Sequence, residues 1–93
     1  MFLQGVSIDF DSVAETDDVA SVLRGLTADG PFVVGCVERQ GDRHRCVFDL
    51  KRADLMVGYR SVIELQLRID REFDIVSVQC QPLLISALKD RIS

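Results

Sequence analysis

The stretch Val62-Ile63-Glu64-Leu65-Gln66-Leu67-Arg68-Ile69-Asp70-Arg71-Glu72-Phe73-Asp74-Ile75-Val76-Ser77-Val78-Gln79-Cys80 carries the strongest periodic signal in the chain. Ile63, Leu65, Leu67 and Ile69 alternate with Glu64, Gln66, Arg68 and Asp70, the period-2 pattern of a strand with one dry face. Beyond a polar corner at Asp70-Arg71-Glu72, the residues Val76, Val78 and Cys80 resume the alternation. Folding about Arg71-Glu72 sets Leu67 opposite Val76, Leu65 opposite Val78 and Ile63 opposite Cys80, all on one face. A slip of one residue would turn the whole dry set toward water, so the register is strongly specified. The pattern predicts a β-hairpin over residues 62–80.

Toward the N-terminus, Val6, Ile8 and Phe10 alternate with Ser7, Asp9 and Asp11, which predicts a first strand over about residues 2–10. A helix is expected next, with Thr16 as N-cap and Asp17 and Asp18 in the first turn, where the helix dipole favours carboxylates. Val19, Val22, Leu23 and Leu26 form its apolar stripe, and Val13 falls off that stripe. Ser12 and Glu15 have the spacing of a rival capping box. Asp29-Gly30-Pro31 should end the helix, with Gly30 suited to a left-handed cap.

Phe32 to Val37 and Arg45 to Leu50 read as two further strands joined by the turn residues Arg39-Gln40-Gly41-Asp42. A two-residue Gly41-Asp42 loop sets Glu38 opposite Arg45 and groups Val33, Val37, Cys46, Phe48 and Leu50. A three-residue loop groups Val34 and Cys36 with Cys46, Phe48 and Leu50 instead. Either way valines remain on the other side, so this hairpin reads as apolar on both faces. Residues 51–60 are ambiguous: Asp54 would cap a helical turn at Leu55-Met56-Val57, or the segment is extended. Pro82 suits the first position of a C-terminal helix, whose face carries Leu84, Ile85, Leu88 and Ile92.

The resulting expectation is one α+β domain over residues 1–93. It has two layers, a mainly antiparallel five-stranded sheet and two helices, in the order β-α-β-β-β-β-α. Two helices cover one face of such a sheet and leave the other bare. Burying a valine contributes about 1.5–3 kcal/mol, so Val33, Val37 and Val47, or Val34 and Cys36 in the other register, need cover from residues 1–10, from Leu55-Met56-Val57 or from a second subunit. The expected solution is a homodimer with Val33, Val37 and Val47 at its interface.

Composition narrows the function classes. The chain has 93 residues, 47% of them hydrophobic and 28% charged, with a net charge of −4. Its sequence pI near 4.8 disfavours nucleic acid, since that binding is driven by neutralising phosphates. The same sign disfavours anionic membranes. No segment approaches the roughly 18–20 apolar residues that span a bilayer. The start at Met1-Phe2-Leu3-Gln4-Gly5 lacks the basic region of a secretion signal. Cys36, Cys46 and Cys80 are odd in number and sit in apolar runs, which predicts reduced, buried thiols in a cytoplasmic protein.

Candidate chemistry is sparse. His44 lies in Arg43-His44-Arg45, with Arg39 across the turn, a grouping that would attract a phosphate or carboxylate. The plainer account is a solvated hairpin tip whose charges keep a strand edge from pairing promiscuously. Cys36, His44 and Cys46 match no zinc spacing, and Asp9, Asp11, Glu15, Asp17 and Asp18 lack the calcium-loop pattern. Glycine-rich phosphate loops and hydrolase elbows are absent. The expectation is therefore a non-catalytic protein-interaction module of adaptor, inhibitor or chaperone-like kind, with a protein partner and neither metal nor cofactor. The alternative is a binder of a small anionic ligand at Arg39, Arg43, His44 and Arg45.

Overall fold

The computed structural model describes residues 3–52 and 57–82 of the chain. Six elements follow in order: β1 (Leu3–Asp11), α1 (Thr16–Thr27), β2 (Phe32–Gln40), β3 (Arg43–Leu50), α2 (Tyr59–Asp70) and β4 (Asp74–Pro82). The strands form one sheet in the order β2-β3-β1-β4, and every neighbouring pair is antiparallel. This β-α-β-β-α-β arrangement, in which β3 lies between β1 and β2, is the split β-α-β or ferredoxin-like topology.

The expected α+β class and antiparallel sheet are therefore present, but with four strands among the described residues rather than five. The correction falls on the first half of the 62–80 stretch, which is the helix α2 and not a strand. Its dry residues are Val62, Leu65 and Ile69, at helical spacing. Ile63 and Leu67, which the strand reading placed in the core, are 55% and 60% exposed. The segment satisfies both periods, and Leu, Glu, Gln and Arg all favour helix. Tertiary context decides between them. As a helix the segment joins the same core as Ile8, Phe10 and Val78 and packs on β4, while α1 packs mainly on β2. No polar side chain marks the start of α2, because Gly58 occupies the N-cap position.

Smaller corrections follow the same logic. The N-cap of α1 is Glu15, not Thr16, and its side chain makes no capping bond. Ser12 instead accepts the Ala14 N–H at 3.2 Å in a local turn. The buried stripe is Val19, Ala20, Leu23 and Thr27, with Val22 39% exposed. The Thr27 hydroxyl donates to the Leu23 carbonyl at 2.9 Å, which allows it to be buried. Gly30 does not take a left-handed conformation; among the described residues only Gly41 does, at φ 65°. Arg68 of α2 donates to the Leu26 carbonyl at 3.0 Å, and Lys51 donates to the Ala28 carbonyl at 2.7 Å. Two cations thus serve the carbonyl end of α1, where the dipole favours them. Pro82 closes β4 rather than opening a helix. The expected turn at residues 54–56 and the helix over residues 83–93 lie outside the described residues.

The core is built from alternate residues of the sheet and the inner stripes of both helices. Val6, Ile8 and Phe10 of β1, Phe32 of β2 and Cys46 and Phe48 of β3 meet Val19, Leu23, Val62, Leu65 and Ile69. Both helices therefore serve one face of the sheet. Ser7, Asp9 and Asp11 of β1 alternate with these core residues and so point to the opposite face.

Candidate functional site

The β2–β3 hairpin decides what is carried by the sheet face that no described element covers, the open face. Its loop has two residues, Gly41 and Asp42, and positive φ falls only on Gly41, as a type II′ turn requires of its first central residue. Glu38 stands opposite Arg45, Val37 opposite Cys46 and Cys36 opposite Val47. Between Val34 and Cys36 the register shifts, so that Gly35 is the extra residue of a β-bulge. Beyond it Val34 faces Phe48 and Phe32 faces Leu50.

The bulge reverses the alternation partway along β2. Val37, Val34 and Phe32 all reach the helix-covered side, while Val33 and Cys36 both reach the open side. Each of the two loop lengths considered from sequence describes one half of the strand. Gly35 permits this because a Cβ there would collide with the Asp49 carboxylate and lie 3.1 Å from the Val47 carbonyl.

The expected interface set is consequently divided. Val33 is 42% exposed and Val47 is half-buried, both on the open face. Val37 instead packs against the core. Cys36 takes its place on the open face; it is exposed, contrary to the expectation that all three thiols are buried. Cys46 is buried, which pushes its thiol up to about 12, far from a reactive thiolate.

Beside this small apolar area lies a row of ion pairs. Arg45 donates from Nε and Nη2 to the two carboxylate oxygens of Asp9, at 2.8 and 3.0 Å. Ser77 of β4 donates to the same carboxylate at 3.3 Å. Hydrogen bonding from Arg45 holds the Asp9 carboxyl below its ordinary range, with Ser77 adding to the effect and burial opposing it. Two residue pairs along, on the same face, Arg43 meets Asp11 at 3.2 Å. These contacts follow directly from the register, in which Asp9 faces Arg45 and Asp11 faces Arg43.

The proposed anion-binding quartet does not converge. Arg43 and Arg45 point to the open face and are already engaged by carboxylates. His44 points the other way, is fully buried, and stacks on Phe10 with ring centroids 5.9 Å apart. Among the described residues, neither of its ring nitrogens has a hydrogen-bond partner. Burial pushes its pKa below the usual value and the Arg39 charge acts in the same sense, while the Ser12 backbone and Glu15 oppose them. Arg39 itself donates to the Gly41 carbonyl at 2.9 Å and lies 3.9 Å from Glu15. His44 and Cys46 also face away from Cys36, so these three cannot share a metal. Among the described residues no three of His, Cys, Asp or Glu gather around a common point for a cation, and no helix is long and apolar enough to cross a membrane.

Sequence reasoning missed His44 in the core, and it had Cys36 on the open face in only one of two registers and never together with Val33. The one available signal was Gly35 itself, since a glycine inside a strand pattern often marks a bulge.

No protein-family model matches the chain, and no curated protein does. Among solved structures, the chain is similar to the TT0538 protein from Thermus thermophilus. The TM-score is 0.78 at 16% sequence identity, with 85% of this chain covered. The match spans only 19% of that longer protein. What the two share is the fold.

Proposed function

We propose that this chain is a non-catalytic interaction module that self-associates, as a symmetric dimer, through the uncovered face of its sheet. The observation that carries this reading is the Gly35 bulge, which brings Val33 and Cys36 to the same face as Val47. A regular strand would have sent Val33 and Cys36 to opposite faces. Exposed apolar side chains grouped on a sheet surface gain by meeting their own copies across a two-fold axis. The flanking Asp9–Arg45 and Asp11–Arg43 pairs are satisfied within the chain, so enclosing them strands no lone charge. The area is small, which favours a reversible dimer rather than an obligate one.

A protein partner presenting a similar patch would occupy the same face in an adaptor or inhibitor role. Three free cysteines suit a reducing compartment such as the cytosol. Light scattering after gel filtration tests the reading. The unmodified chain should run as a dimer at high micromolar concentration, and Val33→Asp should run as a folded monomer. A monomer before substitution, or a dimer that survives Val33→Asp, contradicts it.

A further inference from the structure

On the helical side of the molecule, away from the open sheet face, Ile63 and Leu67 project one turn apart from α2, at 55% and 60% exposure. With Gln66, Asp70 and Ile75 of β4 they line a shallow groove of about 300 Å³, which no described element fills. A lone exposed leucine needs no explanation, but two such side chains along one groove present apolar area that gains by being covered.

Asp70 joins this groove to a second hollow, of about 430 Å³, around the corner between α2 and β4. Glu72 and Asp74 also line that hollow, and among the described residues none of these three carboxylates has an ion-pair partner. Arg71 is the single cation among the hollow's described lining residues, and its remaining carboxylate, Asp11, is taken by Arg43. Asp70 is the last residue of α2, where the helix dipole disfavours a carboxylate, so its charge does not serve the helix. Three carboxylates against one guanidinium leave this end of the groove negative.

We propose that this surface docks an amphipathic, basic helix of another protein, with its apolar side chains on Ile63, Leu67 and Ile75 and its lysines or arginines on Asp70, Glu72 and Asp74. Spacing sets the pattern. Leu67 lies about 6 Å beyond Ile63 along the axis of α2, and Asp70 about 4.5 Å further. A helix laid alongside meets them with apolar residues at i and i+4 and a cation one turn beyond. Apolar contact supplies the affinity, and the carboxylates select the sign of the partner and orient it. The same charge repels nucleic acid and anionic lipid. A second copy, with its net charge of −4, matches it poorly. The open sheet face takes no part, so this docking is independent of the dimer proposed above.

Amide spectra of the full chain, titrated with a synthetic peptide, test this. The probe is a short leucine–lysine peptide with leucines four residues apart and lysines one turn beyond. Its counterparts carry glutamate for every lysine, or serine for every leucine. The leucine–lysine peptide should shift amides between Ile63 and Ile75, and both counterparts should bind roughly tenfold or more weakly. Leu67→Ala, and separately the pair Asp70→Asn and Asp74→Asn, should each weaken binding roughly fivefold, while the amides of β3 keep their positions. No shift with the leucine–lysine peptide, equal binding of the glutamate peptide, or an affinity unmoved by these variants would overturn the proposal. So would groove amides that move on dilution without peptide, which would identify a second copy as the occupant.

Discussion

Gly35 lies against Asp49 across the β2–β3 ladder so closely that a methyl group on Gly35 would overlap the Asp49 carboxylate. That contact accompanies the bulge that reverses the facing of β2. Gly35→Ala should therefore lower stability by about 1 kcal/mol, an overpacking cost partly relieved because the Asp49 side chain can swing aside. A melt should show the midpoint falling by roughly 4–8 °C in a domain of this size. Adding Asp49→Ala should restore part of the loss, and strict additivity of the two substitutions would argue against the contact.

The two valines that flank the bulge should behave differently. Val37→Asp places a charge opposite Cys46 and against the core and is expected to unfold the chain or cost several kcal/mol. Val33→Asp sits on the open face and should change monomer stability by no more than about 0.5 kcal/mol. Urea titrations of both variants, at a concentration where the chain is monomeric, check the contrast.

His44 should make the protein sensitive to mild acid. Its folded pKa lies below the ordinary value of 6.5, so the unfolded chain binds the proton more readily. Stability is then complete above the unfolded value and falls as the pH drops below it, by at most about 1.4 kcal/mol per pH unit. His44→Phe should flatten this dependence between pH 7 and the folded pKa. It should also raise stability at neutral pH, because two nitrogens without partners are replaced by carbon. A melt series over that range in both proteins provides the check. Equal slopes would contradict the account.

Asp9 works in the same direction, over a more acid range. Its folded pKa is lowered from 3.8, chiefly by Arg45, so its contribution is present above the unfolded value and lost as the pH falls through the folded one. Carboxyl carbon shifts followed through an acid titration should report a low value for Asp9. Arg45→Ala should raise it, and an unchanged titration would remove Arg45 as the cause.

The parts of this fold that could be read from sequence are those where one pattern had no rival. In β1 the alternation of Val6, Ile8 and Phe10 with acidic residues admits only a strand, and α1 has a stripe closed off by Gly30-Pro31. The Gly41-Asp42 loop likewise matches its turn chemistry. The 62–80 stretch failed because Ile63 and Leu67 complete a period-2 series while Val62, Leu65 and Ile69 complete a helical one. The choice depends on an uncovered half of the sheet that no local window contains. Gly58 offers no capping signal to break the tie.

The open face was half legible for a related reason. A bulge inverts every facing beyond it, so either assumed loop length misplaces part of β2. His44 was read as a charged hairpin tip because its neighbours Arg43 and Arg45 are charged. In a strand, neighbours point to opposite faces, and His44 shares its face with Phe10 rather than with the arginines beside it in sequence.

Isotope-filtered NOE spectra on a mixture of labelled and unlabelled chains test the central claim most directly. Methyl protons of Val33 and Val47 should show contacts to the other copy at high micromolar concentration, and those of Val37 should show none. Intermolecular contacts absent from Val33 and Val47, or confined to another surface such as α2, would contradict a dimer built on the open sheet face.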